Sequence, residues 1–102
     1  MRLFSQMSRD ELIEEISLLE KELAKAEKMG RKSEANILRQ RRNMARSYLV
    51  DPHIIQPGAT YKVEGAEKTF QVEYLKGIMA WGKWEGSQEL VAIPIALIQQ
   101  DS

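Results

Sequence analysis

The stretch Pro57-Gly58-Ala59-Thr60-Tyr61-Lys62-Val63-Glu64, continued by Thr69-Phe70-Gln71-Val72-Glu73-Tyr74-Leu75-Lys76-Gly77-Ile78-Met79-Ala80-Trp81-Gly82, decides the fold class. Tyr61 and Val63 alternate with Thr60, Lys62 and Glu64, and Phe70, Val72 and Tyr74 alternate with Thr69, Gln71 and Glu73. A period of two with one apolar and one polar face is the pattern of an antiparallel sheet wetted on one side. Gly65 and Lys76-Gly77 mark turns, and Gly77 supplies the positive φ that a tight hairpin needs. A third strand is expected from Ile78 to Trp84, where Ala80 and Gly82 permit sharp curvature or close approach of another backbone. After the Gly86-Ser87 turn, Glu89 to Ile93 reads as a fourth strand, and Pro94 opens a terminal turn through Ile95, Leu97 and Ile98. Short strands bent at glycines predict a small, partly open barrel.

Upstream the period changes. Ser8-Arg9-Asp10-Glu11 fits a capping box, with Met7 and Leu12 placed as a hydrophobic staple. Leu12, Ile16, Leu19, Leu23 and Ala26 then recur every three or four residues, with Ile13 beside them, which predicts an amphipathic helix. Gly30 is its left-handed stop, and Lys25 and Lys28 suit its C-terminal carbonyls. A second helix carries Ala35, Leu38, Ala45 and Leu49 on one row and Ile37, Met44 and Tyr48 on the next; Asp51-Pro52 ends it. Two helices around Gly30 make an antiparallel hairpin. At about 1.5 Å per residue each is roughly 30 Å long, more than a small β-unit covers, so part of the seam calls for another protein or a second copy.

Pro52-His53-Ile54-Ile55-Gln56-Pro57-Gly58 reads as a linker. The expected fold is therefore α+β: a helical hairpin over residues 8–51 and an SH3-like antiparallel barrel over 57–98, forming one cooperative unit with a shared core.

The 102 residues are enough for about one domain. Fifteen basic and fifteen acidic side chains cancel, but unevenly. Residues 1–29 hold five basic and seven acidic side chains, residues 30–50 six and one, and residues 51–102 four and seven. The middle segment is distinctly basic. Absence of cysteine excludes disulfides and thiolate chemistry and fits a reducing compartment. Neither an apolar run of about 20 residues nor the h-region of a secretory signal is present, so a cytoplasmic protein that does not span a membrane is expected.

Several of these segments together resemble the YfhH-like family of small bacterial proteins. The residues concerned are Phe4-Ser5-Gln6-Met7-Ser8 leading to Glu11-Leu12, Met44-Ala45-Arg46-Ser47-Tyr48-Leu49 before Asp51-Pro52, and Pro57 to Glu64. Tyr74-Leu75-Lys76-Gly77, Ala80-Trp81-Gly82 and Ile93-Pro94-Ile95 extend the likeness over nearly the whole chain. It implies a helical hairpin joined to an SH3-like barrel and brings no catalytic or binding residue with it.

Chemistry is sparse. His53 is the sole histidine, and a ligand or general-base role would need Asp51 and a second acid brought in by the fold. The carboxylates fit solvent faces, and Gly77, Gly82 and Gly86 match no phosphate-binding loop. The expectation is a non-enzyme without catalytic, metal or cofactor-binding residues. Two groups are candidates for partner contacts. Arg39, Arg42 and Arg46 share one side of the second helix by spacing, where they hold phosphates, pair with acids of the first helix, or simply keep the face solvated. Trp81 and Trp84 point to opposite faces by strand parity, so one of them is a candidate platform for a ligand. The leading functional reading is an interaction module that binds a protein partner or forms a homo-oligomer. The alternative is a nucleic-acid-binding regulator that uses the arginine-rich second helix.

Overall fold

Two helices followed by a five-stranded antiparallel sheet make up the computed structural model, an α+β arrangement in which residues 3–99 are described. The chain divides into two compact units, one ending at Leu49 and the other beginning at Val50.

In the first unit, α1 (Arg9–Lys28) starts at the predicted cap. Ser8 Oγ accepts from the Glu11 N–H at 3.2 Å, and Glu11 Oε1 accepts from the Ser8 N–H at 3.0 Å. Asp10 and Glu11 lie at the positive end of the helix dipole, Lys25 and Lys28 at the negative end. At the other end Gly30 takes φ +72°, its N–H bonds the Glu27 carbonyl at 3.2 Å, and the Arg31 N–H bonds the Ala26 carbonyl at 2.9 Å. This is the Schellman pattern, and it turns the chain into α2 (Lys32–Ser47). The apolar stripes meet between the helices: Leu12, Leu19, Leu23, Ala26, Ala35, Leu38 and Ala45 form one buried cluster, with Phe4, Met7, Ile16 and Leu49 packed against it. Each fully buried leucine contributes roughly 1.5–3 kcal/mol. Ile13 and Ile37 stay exposed.

Helix α2 stops earlier than its pattern suggested. The Tyr48 and Leu49 N–H groups bond carbonyls three residues back, Ala45 and Arg46, so the last turn tightens. Ser47 Oγ donates to the Asn43 carbonyl at 2.8 Å.

The second unit orders its strands β4-β3-β2-β1-β5. These are β1 (Thr60–Val63), β2 (Phe70–Lys76), β3 (Met79–Trp84), β4 (Val91–Pro94) and β5 (Ile98–Gln99). The buried cluster comprises Ile55, Val63, Phe70, Val72, Ala80, Ile93, Ile95 and Ile98. Strands β4 and β5 stand at the two ends of the five-stranded sheet, which is not closed. Other boundaries shift too. The third strand begins at Met79, and the fourth begins at Val91 and takes in Pro94, which an edge strand tolerates because its missing N–H faces no neighbour. A 3-10 turn, Ile95–Leu97, then feeds β5, a strand too short for alternation to reveal. The supposed linker is part of the structure: Pro52–Ile54 forms a 3-10 turn, and Ile55 is 2% exposed in the sheet core.

Candidate functional site

The sheet carries one irregularity, and it decides where the aromatics go. Gly77 takes φ +59° in a two-residue turn, which sets Lys76 opposite Met79. Farther along, Val72 pairs with Gly82. Gly82 lies so close to β2 that a Cβ there would collide with the Gln71 carbonyl and touch the Phe70 ring. Between these two fixed pairs β2 has Glu73, Tyr74 and Leu75, whereas β3 has only Ala80 and Trp81. One residue too many must bulge, and the register shifts between Val72 and Tyr74.

The bulge overturns the simple alternation. Phe70 and Val72 are fully buried, but Tyr74, expected beside them on the apolar face, is 44% exposed and pairs with Trp81. Their rings stack with centroids 6.0 Å apart and planes 10° apart. Cross-strand partners share a face, so Ala92 extends this row beyond Trp81, and Lys76, Met79 and Pro94 form the next row. Lys83 Nζ lies 3.9 Å from Glu73 Oε1 on the same side of the sheet.

Trp84 has the opposite fate. Its ring meets Phe70 edge to face at 5.0 Å and packs, partly buried, against the sheet core. The two tryptophans thus serve different faces. The residue that sequence reasoning missed is Tyr74, because a bulge depends on cross-strand register and leaves no periodic signal.

The arginines do not form one open row. Arg39 Nη2 donates to Glu27 Oε2 of α1 at 3.0 Å, and Nη1 donates to Asn36 Oδ1 at 2.9 Å. Arg42 and Arg46 converge on a buried acceptor, Asn43 Oδ1, at 3.2 and 3.4 Å. Arg42 Nε is buried without a hydrogen-bond partner among the described residues. Arg41 sits on another side of α2, its guanidinium 5.9 Å from the Phe4 ring centroid.

His53 and Asp51 do come together, as a turn cap. Asp51 Oδ1 accepts from the His53 N–H at 2.9 Å and also lies 2.9 Å from His53 Nδ1. The backbone N–H first, and then the imidazole, hold the Asp51 carboxyl below its ordinary value. Both side chains are largely exposed, so the pair lacks the walls of a cleft. Among the described residues no group of three or more His, Asp or Glu side chains is placed to hold a metal, and no helix is long and apolar enough to cross a membrane.

The model of a family described as "Protein of unknown function (DUF1811)" matches residues 2–99. "Uncharacterized protein YfhH" of Bacillus subtilis (strain 168) is 40% identical over 98 residues, which span 95% of this chain and 94% of that protein. A match of this extent, in keeping with the YfhH-like resemblance, means that the chain belongs to the DUF1811 family.

Proposed function

We propose that this chain is a non-enzymatic cytoplasmic interaction module of SH3-like design, whose outer sheet face docks an extended apolar or proline-bearing segment of another protein. The observation that carries this reading is the stacked Tyr74–Trp81 pair. The bulge takes Tyr74 out of line with Phe70 and Val72 and leaves its side chain at the surface beside a tryptophan. Stacked Tyr and Trp offer a large, stiff, amphipathic contact area at little entropic cost, which is why such residues dominate binding hot spots. Ala92, Met79 and Pro94 supply a low apolar floor around them. The SH3-like part of the reading draws on the strand order and on the 3-10 turn before the last strand.

The test is a titration of a library of apolar and proline-rich peptides, followed by indole fluorescence and amide chemical shifts. Binders are expected to perturb Trp81 and its neighbours and to lose at least about tenfold in affinity on Tyr74→Ala or Trp81→Ala, with the far-ultraviolet circular dichroism retained. If every binder tolerates both substitutions, the outer face is not the docking surface.

A further inference from the structure

We infer that the helical hairpin pairs with a second copy of this chain through the face formed by Leu18, Glu22 and Lys25 of α1, Met29 at its C-cap, and Glu34, Ile37 and Arg41 of α2. This goes beyond the sheet-face reading and does not rest on it.

Spacing places these residues together. On α1 the positions are separated by four, three and four residues, and on α2 by three and four, so each set is one row along its helix. Both rows flank the buried stripe on the same side of the antiparallel hairpin, away from the side where Arg39 reaches Glu27. Leu18, Met29 and Ile37 are 53%, 54% and 59% exposed, three large apolar side chains left uncovered on one short face.

Charge identifies what covers them. Helix α1 carries seven acidic and four basic side chains, α2 one acidic and five basic. Counting equal steps outward from Gly30, Lys25 stands nearly level with Glu34, Glu22 lies between the levels of Ile37 and Arg41, and Leu18 lies beside the level of Arg41. A two-fold axis parallel to the helices lays α1 of one copy on α2 of the other while preserving those levels. Lys25 of the second copy then meets Glu34, Glu22 meets Arg41, and Leu18 and Ile37 are shielded on both sides. The face is self-complementary in sign as well as apolar, as an isologous interface requires, and the product is an antiparallel four-helix bundle.

Sedimentation velocity on the full chain, from micromolar to millimolar concentration, tests the pairing. The parent protein is expected to run at twice the chain mass in the upper part of that range. Arg41→Glu and Glu22→Arg are each expected to raise the dimer dissociation constant at least about tenfold, and the double exchange R41E/E22R to bring it back to within about threefold of the parent. Circular dichroism monitors the helices, and rescue by the double exchange separates lost pairing from lost folding. Trp81→Ala is expected to leave the mass unchanged. A chain monomeric at millimolar concentration, a dimer indifferent to both reversals, or a dimer abolished by Trp81→Ala would overturn the inference.

Discussion

Replacing Gly82 with alanine adds one methyl group where β2 leaves no room. The new Cβ would be driven into the Gln71 carbonyl and against the Phe70 ring, and a backbone carbonyl in a hydrogen-bonded ladder has no rotamer by which to retreat. Overpacking of this kind costs about 1–3 kcal/mol, offset by roughly 0.4–1 kcal/mol from the stiffer unfolded chain. A net loss of about 1–2 kcal/mol corresponds to a fall in melting temperature of roughly 5–15 °C for a unit of this size. Both tryptophans lie on β3, so indole fluorescence during urea unfolding reports on the strand that is altered. Gly65→Ala is the control: apart from its chain neighbours no atom lies within 4 Å of an added Cβ, and its cost is that of φ +78°, about 1–2 kcal/mol. G65A should leave the near-ultraviolet signal of the Tyr74–Trp81 stack intact, whereas G82A should change it, because Gly82 holds the register that produces the stack. If Gly82→Ala is as stable as the parent protein and keeps that signal, the account of the bulge is wrong.

Other consequences are open to direct measurement. Ser8→Ala removes the α1 cap and should cost about 1 kcal/mol in a thermal melt followed by helical circular dichroism. Leu23→Ala, in the middle of the hairpin core, should cost about 2–5 kcal/mol by the same measurement. The Asp51 carboxyl should titrate below its ordinary value of 3.8 in a carbon-detected pH series. Because the folded value is the lower one, this cap stabilises above the ordinary carboxylate range and is lost as pH falls through the folded value. His53→Ala should leave the carboxyl still lowered, since the backbone N–H at that position, the largest single cause, remains. Finally, Arg39→Ala, Arg42→Ala and Arg46→Ala combined should weaken the hairpin rather than abolish a salt-sensitive affinity for DNA or RNA. A parent protein whose nucleic-acid affinity falls steeply with salt and vanishes in the triple variant would favour the nucleic-acid reading instead.

Local patterns carried the helices almost completely. The cap at Ser8, the stop at Gly30 and the stripe from Leu12 to Ala26 each depend on neighbours within one or two turns, and each is found where periodicity placed it. The sheet was legible in kind but less so in detail. Strand β5 is two residues long, and Ile55 is buried from within a proline-framed segment whose composition resembles a linker. Neither leaves a periodic trace. The candidate surface was half legible: parity separated Trp81 from Trp84, but the exposure of Tyr74 follows from counting residues between two pairings that no single strand displays. The fates of Arg39 and Arg42 likewise depended on Glu27 and Asn43 lying within reach, a matter of rotamer and not of spacing.

The bulge also says which changes this strand should tolerate over evolution. Glu73 is the surplus residue between two fixed pairings, so a chain lacking it would run straight from Val72 opposite Gly82 to Tyr74 opposite Trp81 and keep its aromatic stack. A one-residue deletion, usually the harsher event inside a strand, should therefore be gentler here than one methyl group at Gly82. Relatives that differ in length at this point but retain the glycine and both rings would carry the signature of that inversion.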